Sequence, residues 1–241
     1  MPLILVPSEN GSRTNRRQGR RNEAMADQVY LGRIVAVGRT PAGQAAALYR
    51  VSSRSFPNRR AVVEPTAARI VPKEGHEADV HRNPYIAYNC CRIIGPTAVV
   101  TNGSHTDPVA EKIAAGMSAR DALVYGLAAL DYEKDDYDTP RVAAVMNAGA
   151  EGGWLGTVRK DGLEVVYLPL APGRCLHVST YEHARILPAR EADFTAGDAE
   201  GACGFVLGEG VFSSFTNPVS AVAAVETDAG GFAIAARDAD A

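Results

Sequence analysis

The run Val29-Tyr-Leu-Gly-Arg-Ile-Val-Ala-Val37 decides the fold class. β-Branched and apolar residues fill it, and a Gly-, Thr- and Pro-containing segment at 38–43 separates it from a second apolar run at 45–51. Two such runs about a turn read as a β-hairpin. Outward from it the same signal recurs. Short strands are expected at 61–64 and 68–71, and residues 85–94 and 98–101 flank Gly95-Pro96-Thr97 as a second hairpin. The period changes at Asp107-Pro108, where an N-cap residue followed by proline predicts a helix to about residue 116. Ser118-Ala-Arg-Asp121 has capping-box spacing, and Ala122, Leu123, Leu127 and Leu130 share one face, so a second helix runs to Asp131. Strands return at 141–147, 155–159, 163–168 and 175–181, followed by a short helix at 198–207 and a closing strand pair at 219–225 and 232–236. Many strands around a central pair of helices, without βαβ alternation, predict an α+β fold with antiparallel sheets.

Composition narrows the function. The chain has 241 residues, 46% hydrophobic and 22% charged, enough to bury a substantial core, and one domain over residues 25–241 is the simplest division. The formal charge of −3 is uneven, since five arginines make residues 1–24 net +3 and leave −6 on the remainder. An acidic body lacks the dense basic face that binding to a phosphate backbone needs, so nucleic acid is not an expected partner. Residues 1–24 read as a disordered basic leader, as a partner-binding arm, or as sequence ahead of a start at Met25. No stretch approaches the ~20 apolar residues of a membrane span. Cys90, Cys91, Cys175 and Cys203 form no CxxC pair and have no histidine at zinc-ligand spacing. Neither disulfides nor a metal site is expected, and a reducing cytoplasm is. Cys90 and Cys91, adjacent in a strand, should point to opposite faces as small buried hydrophobes. There is no GxGxxG or Walker sequence to support a Rossmann or P-loop reading.

Four polar segments stand out against this apolar background. Arg50-Val-Ser-Ser-Arg-Ser-Phe-Pro-Asn-Arg59 sets three arginines among hydroxyl and amide side chains, a composition suited to holding an anion. Arg82-Asn-Pro-Tyr-Ile-Ala-Tyr-Asn89, Thr101-Asn-Gly-Ser-His-Thr-Asp107 and Asp131-Tyr-Glu-Lys-Asp-Asp-Tyr-Asp-Thr-Pro-Arg141 repeat that polar density. Together they point to an enzyme acting on a phosphorylated small molecule.

Tyr30-Leu-Gly-Arg33, the 50–59 segment, Asn83-Pro-Tyr-Ile-Ala-Tyr-Asn-Cys90, Asn102-Gly-Ser-His-Thr-Asp107, Asp131-Tyr-Glu-Lys-Asp135 and Thr139-Pro-Arg141 occur in an order that resembles the archaeal-type inosine monophosphate (IMP) cyclohydrolase family. The likeness spans about residues 29–237, with Phe215-Thr-Asn-Pro-Val219 the clearest piece of a looser C-terminal third. It implies a four-layer αββα sandwich resembling the N-terminal nucleophile hydrolase fold. Those hydrolases need Cys, Ser or Thr as the free first residue of their first strand. Here Gln28-Val29-Tyr30 stands at that position, so the fold is expected without the nucleophile.

The reaction implied is closure of 5-formamidoimidazole-4-carboxamide ribonucleotide to IMP, with loss of water. The carboxamide nitrogen attacks the formyl carbon of the same molecule. That step wants a near-attack conformer, a base, a donor to the formyl oxygen and an anchor for the 5′-phosphate, and no cofactor. Carried onto these motifs, Glu133 accepts or relays the carboxamide proton, while Tyr88 and Arg59 donate to the formyl oxygen or orient the ring. Ser53, Arg54 and Asn58, with Asn102, Gly103 and Ser104 ahead of the helix at Asp107, offer donors for phosphate, and Asn89 is a further substrate contact. His105 is a proton carrier or a loop brace, Asp107 a helix cap, and Arg141 a ligand contact or a counter-charge to the acidic cluster 131–138. Tyr85 and Tyr88, three apart in a strand, should face opposite sides. A purine nucleotide is the expected small-molecule partner, and the resemblance implies a homo-oligomer. An amidohydrolase of the same fold and a nucleotide-binding regulatory protein without turnover are the rival readings.

Overall fold

The computed structural model describes residues 28–239; the basic leader expected at 1–24 lies outside the described residues. In chain order the strands are β1 (Ile34–Arg39), β2 (Ala45–Ser52), β3 (Arg59–Glu64), β4 (Ala67–Pro72), β5 (Tyr88–Ile94), β6 (Thr97–Thr101), β7 (Arg141–Asn147), β8 (Gly152–Arg159), β9 (Gly162–Pro169), β10 (Arg174–Ser179), β11 (Ala192–Asp193), β12 (Pro218–Glu226) and β13 (Phe232–Asp238). The helices are α1 (Asp79–Arg82), α2 (Thr106–Ala114), α3 (Ala119–Leu130) and α4 (Ala199–Gly208). One sheet has six strands in the order β11-β10-β1-β2-β12-β13, the other seven in the order β3-β4-β5-β6-β7-β8-β9. Every pairing within them is antiparallel, as the hairpin pattern predicts.

The two sheets pack face to face, and side chains sort by the two-residue period of a strand. Val35, Val37, Ala47, Tyr49, Val222 and Ala224 of the first sheet join Ala98, Val100, Val142, Ala144 and Met146 of the second in one core. The alternate residues of the first sheet, Ile34, Ala36, Ala46, Leu48, Ala221 and Ala223, pack with Ala202, Cys203, Phe205 and Val206 of α4. On the second sheet Val99, Ala143, Val145 and Val158 pack with Val109 of α2 and Ala122, Leu123 and Leu127 of α3. Central strands are therefore covered on both faces, which is why β1, β2, β7 and β12 read as continuous apolar runs rather than as clean alternation.

Local signals explain most boundaries. The Ser118 hydroxyl caps α3 by accepting from the Asp121 amide at 3.1 Å, and the Asp198 carboxylate caps α4 through the Gly201 amide at 2.7 Å. Three expectations need correction. Asp107 lies in the first turn of α2 and does not cap it; His105 holds the cap position without a side-chain bond. Tyr85 falls in a 3-10 turn, Pro84–Ile86, started by the Asn83 side chain, so strand alternation does not relate it to Tyr88. Cys90 and Cys91 both enter the core between the sheets, because pairing shifts from Ala68↔Cys91 to Arg69↔Asn89 and leaves Cys90 in a bulge.

Arg50, read as part of an anion site, is fully buried. Its guanidinium donates to the carbonyls of Val206, Leu207, Phe212, Phe215 and Thr216, and its Nε to the Ser52 hydroxyl. It satisfies the exposed C-terminal carbonyls of α4 and pins the 210–216 segment against β2, a structural task that uses all its donors. No helix among the described residues is long and apolar enough to cross a membrane.

Two buried histidines tie this packing to pH. His177 lies among His183, Phe212 and Phe215, and His105 lies under the second sheet; burial first, then neighbouring positive groups, pushes each imidazole from 6.5 down to about 3. The unfolded chain therefore binds more protons than the folded one once pH falls below about 6.5, so stability falls with pH. Denaturant titrations from pH 7 to pH 5 should show a loss approaching ~1.4 kcal/mol per pH unit for each histidine. A flat profile would contradict the burial of neutral imidazoles.

Candidate active site

At one end of the sandwich β1 enters, β2 and β10 leave, and β3, β5 and β7 begin. The residues just outside these strand ends enclose a cleft of about 550 Å³, its open mouth included. Tyr30, Gly32 and Arg33 come from the segment before β1. Ser52, Ser53, Ser55, Phe56 and Arg59 come from the β2–β3 connection, Asn83, Tyr85 and Ile86 from the turn before β5, and Glu133, Asp135 and Tyr137 from the loop after α3. Tyr181 closes the circle after β10.

Glu133 has 1% of its surface exposed. Arg33 Nη2 donates to Glu133 Oε2 at 2.8 Å, and Arg141 Nη1 lies 3.7 Å from Oε1. The chain around it is held by other contacts. The Glu133 amide donates to the Thr139 carbonyl, Arg141 Nε donates to the Asp131 carbonyl, and Asp135 accepts from both the amide and the hydroxyl of Thr139. Asp131 (φ 54°) and Asp138 (φ 49°) bracket the loop in backbone conformations that side-chain-bearing residues seldom adopt. Each costs of order 1–3 kcal/mol, strain of the kind that collects where a loop must aim a side chain.

Tyr88 and Tyr49 share a hydroxyl contact of 2.5 Å in the buried layer behind the cleft. Burial pushes both phenols up, against the charges of Arg59 and Arg33 at Tyr88, so both remain neutral hydroxyls at physiological pH. Burial works to lower the Arg33 guanidinium, but the Glu133 charge and its hydrogen bond work against it and the guanidinium is raised. At the mouth Tyr30 and Tyr181 stack with centroids 5.8 Å apart, and the Arg54 guanidinium lies 4.0 Å over the Tyr30 ring.

Of the residues singled out from the sequence, Ser53, Arg59 and Glu133 line the cleft, and Arg54 lines the adjoining vestibule with Tyr30, Ser55 and Tyr181. Arg59 is held by its Nε bond to the Phe56 carbonyl at 3.0 Å. Tyr88 does not line the cleft: its hydroxyl meets Tyr49 in the core, and the residue borders the same depression as Asn89 and Ser104, while His105, Gly103 and Arg141 stand behind Glu133. The others go elsewhere. Asn58 pairs with His76, and the Asn102 side chain accepts from the Val142 amide and donates to the Pro140 carbonyl. Asn89 and Ser104 line a separate depression with Asp107, where both Asn89 and Arg92 bond the Asp107 carboxylate.

Arg33, Tyr30, Asp135 and Tyr181 line the cleft and are not among the site residues expected from the sequence, and of the tyrosine pair expected to divide between core and site, Tyr85 lines the cleft and Tyr88 does not. Tyr30 and Arg33 belong to the Tyr30-Leu-Gly-Arg33 motif and Asp135 to Asp131-Tyr-Glu-Lys-Asp135, so the motifs carry a signal for all three. Tyr181 had no signal, because it reaches the cleft only through the β1–β10 pairing.

A cleft with a buried carboxylate held between arginines, and with tyrosines at its mouth, has the few convergent polar groups of an enzyme site for a small molecule. A family model described as IMP cyclohydrolase-like protein matches residues 30–230. A protein named IMP cyclohydrolase from Methanosphaera stadtmanae is 48% identical over 200 residues, 83% of this chain and 96% of its own length. Similarly named proteins from Methanococcus maripaludis strain C6 and Methanocaldococcus jannaschii are 40% and 41% identical, covering 86% and 83% of this chain and 99% and 96% of theirs. The chain belongs to the IMP cyclohydrolase-like family.

Gly32 shows how tightly the mouth is built. Its φ is +70°, and a Cβ there would lie 2.3 Å from the Thr180 hydroxyl and 2.7 Å from the Tyr181 ring. Gly32→Ala should therefore destabilise the protein by at least ~1 kcal/mol in denaturant titrations. Unchanged stability would contradict this close approach.

Proposed function

We propose that this protein is an IMP cyclohydrolase, closing the formyl and carboxamide arms of 5-formamidoimidazole-4-carboxamide ribonucleotide into the six-membered ring of IMP. The observation that carries this reading is the buried Glu133 carboxylate, clamped by Arg33, with Arg59 lining the same cleft in a chain of this family.

The chemistry asks for little covalent machinery. The carboxamide nitrogen forms a bond to the formyl carbon and loses a proton. The formyl oxygen collects negative charge and is protonated to a hydroxyl; the formamide nitrogen then loses its own proton as the ring C=N bond forms, and the hydroxyl takes up a second proton and departs as water. Glu133 takes the carboxamide proton in this account. Arg59, and Tyr88 through the hydroxyl pair behind it, donate toward the developing oxyanion, where oriented donors in a water-poor cleft stabilise charge most. Arg33 holds the Glu133 carboxylate in one orientation through its 2.8 Å ion pair. The ribose 5′-phosphate extends toward Ser53, Ser55 and Arg54, while the stacked Tyr30 and Tyr181 wall the mouth. Holding both arms in one conformer is the largest contribution required, because the reaction is intramolecular.

The helix, sheet, sheet, helix packing supports the finer reading of the fold, an αββα sandwich like that of N-terminal nucleophile hydrolases without their nucleophile. The expected position of the nucleophile, Gln28-Val29-Tyr30, precedes β1 by several residues, since the strand begins at Ile34 and not at Val29; Leu31-Gly32-Arg33, which leads directly into it, also has no Cys, Ser or Thr, and Arg33 takes a supporting role. We place the enzyme in the cytoplasm as a homo-oligomer.

The full chain should accelerate ring closure well above the uncatalysed rate, followed by ultraviolet absorbance without folate. Glu133→Gln should lower kcat by about 10²–10⁴ with the fold retained. A folded protein that binds IMP without accelerating closure would overturn the enzymatic reading, and a wild-type rate in Glu133→Gln would remove the assigned base.

A further inference from the structure

Three buried polar atoms behind the cleft find no hydrogen-bond partner among the described residues, and they converge on one point: His105 Nδ1, Glu133 Oε1 and Arg141 Nη1. All three stand in front of Gly103, which has no side chain to part them. A Cβ built there would lie 2.8 Å from Arg141 Nη1, 3.4 Å from Glu133 Oε1 and 3.5 Å from His105 Nδ1. Arg141 and Glu133 do not satisfy each other, since their facing atoms are 3.7 Å apart, beyond hydrogen-bond reach.

The donor and acceptor count is specific. His105 Nε2 lies 3.1 Å from the Val142 carbonyl, an acceptor only, so Nε2 carries the ring proton and Nδ1 presents a lone pair. Burial, with the Arg141 charge second, holds this imidazole down at about 3, so it stays neutral and is a fixed acceptor at working pH. The point is thus faced by one N–H donor and two acceptors. A water molecule matches that set, with one lone pair for Arg141 and two O–H bonds for Glu133 and His105. Buried waters make about three such bonds to polar groups that otherwise lack partners.

We propose that one buried water is bound over Gly103 by Arg141, Glu133 and His105, and that His105 is thereby a positioning residue that holds the inner oxygen of Glu133. The outer oxygen is held by Arg33, so the carboxylate is fixed from two sides, and Gly103 is required because a Cβ there would press on Arg141 Nη1 at 2.8 Å and displace one of the water's three partners. The functional half of this inference rests on the reading of Glu133 as the base.

Two substitutions separate this role from a brace. In His105→Gln the amide nitrogen can keep the bond to Val142 but no acceptor stands at the Nδ1 position. In His105→Asn the side-chain oxygen stands near the Nδ1 position and the bond to Val142 is lost. A water-held carboxylate predicts that His105→Gln lowers kcat at least about tenfold with little change in KM, a part of the ~10²–10⁴ a positioned acid–base group supplies. His105→Asn should retain most of the rate. The reverse order, Asn damaged and Gln spared, would make His105 a brace and overturn its positioning role.

A high-resolution crystal structure of the full-length protein tests the water without reference to turnover. Density within hydrogen-bond distance of all three atoms supports the site, even if Glu133→Gln proves active and the assignment of the base falls. Arg141 closed directly on Glu133, with no water between them, overturns it.

Discussion

The buried ion pair between Arg33 and Glu133 is the contact on which the site depends. Arg33 leads into the first sheet, and Glu133 follows α3 and precedes β7 of the second, so the pair joins the two halves of the sandwich at the cleft. Removing one partner of such a pair typically costs ~3–5 kcal/mol, because the remaining charge is left buried without compensation. Such a pair is weak evidence for net stability, since two well-packed apolar side chains often do as well. Its value here is positional: it sets where the carboxylate sits, out of contact with solvent.

Much of the surrounding structure serves the same end. The two aspartates in unfavourable backbone conformations, the Thr139–Asp135 bonds and the Arg141 bond to the Asp131 carbonyl all hold one loop in one shape. On the other side the Tyr49–Tyr88 hydroxyl pair places a neutral polar group beside Arg33 and Arg59. An intramolecular ring closure gains most from a site already shaped before the substrate arrives, and a buried polar network with few degrees of freedom provides that.

The fold was largely legible because covered sheets write their strands as apolar runs. Residues 141–147 were read with the bounds found for β7, and the Ser118 and Asp198 caps placed two helices within a residue or two. The short strand β11 was missed, because a two-residue pairing with β10 leaves no periodic signal. Cys90 shows the limit of alternation, since a bulge changes which face a residue takes and nothing in Asn89-Cys90-Cys91 announces it. The site was legible in its motifs but not in its geometry. Arg50 and Arg59 end the same ten-residue segment with similar local surroundings, yet one is used up by backbone carbonyls and the other lines the cleft. The difference arises from the 206–216 segment, more than 150 residues away, which supplies the carbonyls that Arg50 satisfies. Asn102 turns inward and Asn89 turns to the Asp107 carboxylate for the same kind of reason, each meeting a partner that only the tertiary structure provides.

The most direct test of the central claim is a crystal structure of the full-length protein with IMP bound. The account predicts the six-membered ring of the product against Glu133 and Arg59, with its phosphate toward Ser53 and Arg54. IMP bound instead in the depression beside Asn89, Ser104 and Asp107, with the Glu133 cleft empty, would contradict it.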